Sequence, residues 1–188
     1  MSWSISWSWQ ANQRISAIAA VEGGIVVSNG LEMVLIESDG SIRWSIKTPF
    51  KVHSMNYHNG ILAALAAHGF YVISTMDGSM IHDGRSTFGG FTDVLHRPGG
   101  GWILTGKEGQ MHLFSHEGVG IKRFQTGKVR RIVGWLDREH ILWQSDDGKL
   151  WCGRLGNNYS KRCLDCLLYT SDAADDTPCV DLGGRRII

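Results

Sequence analysis

The sequence is constrained most by its periodicity: one pattern returns every 37 to 40 residues. A basic residue or Gly opening a strand occurs at Arg14-Ile15, Lys51-Val52, Gly90-Phe91 and Lys128-Val129, at intervals of 37, 39 and 38 residues. A turn Gly recurs at Gly30, Gly69, Gly109 and Gly148, at intervals of 39, 40 and 39. A later acidic-Gly turn recurs at Asp39-Gly40, Asp77-Gly78 and Glu117-Gly118, at intervals of 38 and 40. Three landmarks in phase at one period define a repeat protein, in which each unit buries its apolar face against the next.

Within a repeat the pattern is short apolar runs separated by turn residues. The first repeat reads as strands over Ile15 to Ala20, Ile25 to Val27, Glu32 to Ile36 and Ser41 to Ile46. The intervening Glu22-Gly23-Gly24, Ser28-Asn29-Gly30 and Ser38-Asp39-Gly40 are hairpin material, because Gly, Asn and Asp tolerate the backbone angles of tight turns. The later repeats predict strands over 52–57, 61–65, 70–74 and 79–82, then 91–95, 102–105, 110–114 and 119–124, then 130–134, 141–144, 149–153 and 160–164. No window has helical periodicity. Four short antiparallel strands in about 40 residues is the plan of a β-propeller blade. The predicted fold is therefore all-β: a partial propeller of four four-stranded antiparallel blades in an open arc. The expected blades are 14–50, 51–89, 90–127 and 128–165 within a domain spanning 1–165.

Asp39-Gly40-Ser41-Ile42-Arg43-Trp44, with small and apolar strands upstream, resembles the repeat of PQQ-like (quinoprotein-type) propellers. That repeat ends in a turn Gly and a Trp that docks between blades. The match is clear in the first repeat; the second has His82 at the Trp position, and the third has Phe124 near it. No Trp-Asp ending of the WD-repeat kind is present. Ile5-Ser6-Trp7-Ser8-Trp9 aligns with Ile42-Arg43-Trp44-Ser45-Ile46, so Trp3 to Trp9 reads as the fourth strand of a blade whose other strands lie elsewhere. This implies a longer parent ring, with further C-terminal blades as natural partners of the arc. An arc has two end faces, and the last is expected to present Ile141, Trp143 and Trp151.

The segment Cys166 to Asp175 resembles a translated sequencing-library adapter, and Val180 to Ile188 the flow-cell adapter that follows it. Residues 166–188 are accordingly read as a non-native tail and excluded from the fold. The Cys163-Leu164-Asp165-Cys166 spacing is then not a redox or zinc pair, and Cys152 and Cys163 suit a reducing compartment. If Met1 is the true start, a cytoplasmic location is expected. No run approaches the roughly 20 apolar residues of a membrane span.

The 188 residues carry a net charge of +1, which gives no global case for nucleic acid or an acidic membrane. None of the eight His has a zinc or metalloprotease spacing, and Gly-x-Ser-x-Gly is absent. Trp7, Trp44 and Trp151, like Trp102, Trp135 and Trp143, read as packing residues. No catalytic residue, metal ligand or cofactor site is identified. The remaining candidate is a set of cations, Arg14, Lys51, Lys128, Arg130 and Arg131, at or just after the loop that begins each blade. In a propeller such positions share one height around the axis, where they would face a protein or a small anionic ligand. The expected function is a non-catalytic binding module. The alternative is a piece of a PQQ-dependent dehydrogenase-like enzyme, which the resemblance implies would need a quinone, a calcium ion and a catalytic Asp.

Overall fold

The computed structural model describes residues 7–85, 89–156 and 159–164. These residues form sixteen strands and no helix. The first sheet holds β1 (Ile15–Val21), β2 (Gly24–Asn29), β3 (Glu32–Glu37) and β4 (Ile42–Lys47). The second holds β5 (Val52–His58), β6 (Ile61–Ala66), β7 (Gly69–Ser74) and β8 (Met80–Arg85). The third holds β9 (Phe91–His96), β10 (Trp102–Gly106), β11 (Gln110–Phe114) and β12 (Gly120–Gln125). The fourth holds β13 (Val129–Trp135), β14 (His140–Ser145), β15 (Leu150–Arg154) and β16 (Ser160–Cys163). In every sheet the strands lie in chain order and pair antiparallel. This is the four-bladed, all-β arc that the periodicity predicts, with strand ends differing by at most three residues.

The blades repeat in detail as well as in outline. Each inner strand carries a bulge at its second residue, so Ser16, His53, Thr92 and Arg130 have no partner opposite them. Such a bulge bends the strand and strengthens its twist, which suits strands that converge on an axis. The inner strands of successive blades lie side by side. Between β5 and β6, Asn59 and Gly60 have φ of +46° and +80°, the paired left-handed conformations of a two-residue hairpin.

The core lies between blades rather than within one. Val26, Met33, Leu35 and Trp44 of the first blade pack on Leu62, Ala64, Tyr71 and Ile73 of the second. The opposite face of the second blade, with Leu65, Phe70 and Val72, packs on Phe91, Val94, Trp102 and Leu104 of the third. Ile103, Met111, Leu113 and Phe124 of the third meet Val129, Ile141 and Trp143 of the fourth. Ile141 and Trp143 are wholly buried in that seam, and Trp151 packs against it. This corrects the expectation that these three residues form the last end face. Period-2 alternation separates a strand's residues into two sets but does not say which set faces the preceding blade.

Trp44 shows how the seams lock. Its indole Nε1 donates to the Thr75 carbonyl at 2.9 Å, and its ring lies against Gly78 in the third turn of the next blade. Gly78 has φ +74°, and a Cβ there would sit 3.0 Å from the ring. Trp7 repeats the arrangement one blade earlier: Nε1 donates to the Ser38 carbonyl at 2.8 Å and the ring covers Gly40. Trp7 and Trp9 also cover Val27, Val34 and Ile36 on the outer face of the first blade. So Trp7 fills the role that its alignment with Trp44 predicts, although Trp7 to Trp9 is not a strand; Trp3 to Ser6 lies outside the described residues.

Pairing refines the later repeats. His82 stands opposite Val72, and Lys122 opposite Leu113, as Trp44 stands opposite Leu35. The third-blade equivalent of Trp44 is therefore Lys122 rather than Phe124, which follows two residues later on the same face. Lys122 Nζ donates to the Gly156 carbonyl of the fourth blade at 3.1 Å, a cationic version of the indole bond. The tail from Cys166 onward lies outside the described residues.

Candidate functional site

Antiparallel strands sort the turns onto two edges. Thr48 N donates to the Leu31 carbonyl, which joins the second turn of a blade to the connection entering the next blade. Ser38 N donates to the Gly23 carbonyl, which joins the first and third turns at the opposite edge. The entry edge holds the start of every inner strand; the exit edge holds its end.

The predicted cations occupy the entry edge. Arg14, Lys51 and Lys128 directly precede β1, β5 and β13, and all three are exposed. Gly90 takes this position in the third blade, where the exposed Lys107 donates its backbone N–H to the Gly90 carbonyl at 3.2 Å. Arg130 is the bulge residue of β13, and Arg131 is the register equivalent of Asp93 and Ser54. Both are exposed. Among the described residues, none of the five cations forms an ion pair. Charge is not uniform along the edge. A groove of about 300 Å³ beside Lys128 also contains Asp146, Asp147 and Lys161. There Lys161 Nζ lies 4.7 Å from the Trp151 ring and donates to the Thr126 carbonyl at 2.7 Å.

Between the edges, polar side chains stitch the inner strands together. The Asp93 carboxylate accepts from Ser54 Oγ at 3.0 Å, from Ile132 N at 2.9 Å and from its neighbour Val94 N at 2.9 Å. One side chain thus joins three blades. Asn56 Oδ1 accepts from His96 N at 2.9 Å.

At the exit end of these strands lies a cluster that sequence spacing did not flag. The His58 and His96 rings stack with centroids 3.3 Å apart. The His96 ring meets Trp102 edge-on, and Trp102 stacks on His116. Trp135 Nε1 donates to the His96 carbonyl at 2.7 Å. Burial, followed by the nearby His58, His116 and Arg97 charges, pushes the His96 pKa down to about 4. His96 is therefore neutral at pH 7. A signal was available: His58 and His96 lie one period apart, each closing an inner strand. Among the described residues no group of three or more His, Cys, Asp or Glu side chains converges on a metal position.

The fold and its two edges define a class, the propeller-type array of four-stranded blades. No protein-family model matches the sequence, and no curated protein sequence matches it. Solved structures match the fold. The computationally designed Ika4 protein superposes with a TM-score of 0.71 at 11% identity, covering 83% of this chain and 100% of that one. U3-55K superposes with a TM-score of 0.72 at 11% identity, covering 82% of this chain and 53% of that one. BamB from Moraxella catarrhalis, a β-propeller, superposes with a TM-score of 0.65 at 13% identity, covering 79% of this chain and 49% of that one. The chain spans about half the length of U3-55K and BamB. At these identities the likeness concerns fold alone.

Proposed function

We propose that this chain is a non-catalytic interaction module whose entry edge binds an anionic ligand, either a small molecule or an acidic protein segment. The observation that carries the reading is the repetition of exposed cations, Arg14, Lys51 and Lys128, at the same structural position in three blades, with no ion pair to any of them among the described residues. A rigid array holds such groups at one height, so a multivalent anion meets several of them without a large ordering cost. Arg130 and Arg131 extend the set in the fourth blade. No observation on these residues favours the dehydrogenase alternative.

The test is fluorescence anisotropy with a labelled oligo-glutamate peptide, titrated with the full chain over a salt series. Binding that weakens with salt, and falls at least about tenfold in an Arg14→Ser/Lys51→Ser/Lys128→Ser variant, is expected. Equal binding by that variant and the parent would refute the reading.

A further inference from the structure

The exit edge carries a different surface, displayed on the outermost strands. Ile42 is 54% exposed, Met76 76%, Val119 63% and Ile121 59%, with Met80 and Ile81 also open. These residues sit at the starts of β4, β8 and β12 and in the third turns that precede β8 and β12. Solvent-facing aliphatics at one place in three successive blades are unusual for edge strands, which proteins normally protect with charge.

The seams make these residues neighbours. The Trp44 bond to the Thr75 carbonyl draws β4 against the turn that contains Met76, Asp77 and Gly78. His82 lies against Gly118 in the same way, drawing β8 against the turn that contains Glu117 and Val119. The open aliphatics therefore recur as a stripe over the first three blades, with β4 beside the third turn of the second blade and β8 beside that of the third. Among the described residues the stripe ends at the third blade, since the outer strand of the fourth reads Ser160-Lys161-Arg162-Cys163.

Carboxylates accompany it at the same period. Asp39 and Asp77 each accept from the backbone N–H and Oγ of the Ser two residues on, Ser41 and Ser79. Glu117 accepts from Ser115 Oγ at 2.9 Å. The Ser41 and Ser79 bonds hold Asp39 and Asp77 below their ordinary pKa, and its own backbone N–H, followed by the Ser115 hydroxyl, does the same for Glu117, so all three are anionic at neutral pH. Alternating fixed negative charge and open aliphatic surface complements a chain with the opposite charge and the same spacing of apolar groups.

We propose that the exit-edge rim of the first three blades is a docking surface for an extended protein segment in which Lys or Arg alternates with aliphatic residues. The apolar side chains cover Ile42, Met76, Met80, Ile81, Val119 and Ile121, while the cations meet Asp39, Asp77 and Glu117. This surface is separate from the cationic entry edge, so the module has two binding edges of opposite charge.

The experiment uses the full chain and three labelled synthetic peptides: alternating Lys-Leu, alternating Glu-Leu and alternating Lys-Ser. Anisotropy titrations are expected to show that only Lys-Leu binds. Its affinity should fall at least about tenfold in a Met76→Ser/Ile81→Ser/Ile121→Ser variant and stay unchanged in the entry-edge Arg14→Ser/Lys51→Ser/Lys128→Ser variant. Should the triple rim variant melt lower than the parent, single Ile81→Lys and Glu117→Lys variants serve in its place, with the same loss expected. Equal binding of Glu-Leu, unchanged Lys-Leu binding by the rim variants, or no binding at all would overturn the proposal. So would association of the parent chain with itself or with anionic lipid vesicles that the rim substitutions abolish, since either would identify a different occupant.

Discussion

Replacing Trp44 and Gly78, separately and together, tests the seam that joins the first two blades. Trp44 is 7% exposed and bonds Thr75 through its indole. Truncating a buried Trp to Ala costs about 3–5 kcal/mol, and the Thr75 carbonyl loses its partner. Gly78→Ala has two costs. The left-handed φ of +74° strains any L side chain, and the new Cβ presses on the Trp44 ring at 3.0 Å. Together these come to about 2 kcal/mol, shared roughly equally. When Trp44 is already Ala, the second cost disappears. Singles of about 4 and about 2 kcal/mol should therefore combine to about 5 rather than about 6. A coupling of about 1 kcal/mol exceeds the few tenths expected of independent sites. Urea unfolding followed by far-ultraviolet circular dichroism measures it, and Trp44→Leu can replace the Ala variant if that unfolds. Additive effects within a few tenths of a kcal/mol would refute the packing of Trp44 on Gly78.

The stacked histidines predict acid sensitivity. The folded pKa of His96 lies near 4, below the ordinary value near 6.5, so the unfolded chain binds the extra proton first. Stability should be full above pH 6.5 and fall by about 2 kcal/mol towards pH 4, after allowing for solvent screening; half-buried His112 is shifted the same way. Melting curves at pH 7 and pH 5 check this, and a loss that is no smaller in His96→Phe would contradict it. Asp93→Asn should cost about 1–2 kcal/mol in urea unfolding, because the amide can accept through one oxygen only and leaves a bond to Ser54 or Ile132 unmade. Met76→Ser and Ile121→Ser, both at exposed positions, should each change stability by less than about 0.5 kcal/mol.

Much of this architecture was legible because turn chemistry is local. Asp39-Gly40 and Asp77-Gly78 announce their turns in any context, and their spacing gives the blade. The alignment of Trp7 with Trp44 even anticipated the docking of Trp7 on the following blade. What remained hidden depends on neighbouring blades. Ile141 and Trp143 alternate correctly on β14, yet only packing reveals that they face the third blade. The docking position falls four residues after the third-turn Gly in each of the first three blades, at Trp44, His82 and Lys122, and the change of residue type hides its recurrence. Arg14, Lys51 and Lys128 were legible as candidates through their phase. The His58–His96 stack and the Asp93 stitch join residues about one period apart and emerge only when the repeats are placed side by side.

The outer strands of the first three blades dock on the third turn of the following blade, which gives the array its seams and aligns its exit-edge rim. Nuclear Overhauser spectroscopy on the labelled chain tests it most directly, through contacts from the Trp44 and Trp7 indole rings to the α-protons of Gly78 and Gly40. Both contacts are expected, with those glycine protons shifted upfield by the rings that cover them. Glycine α-protons at ordinary shifts, with no contact to either indole, would contradict it.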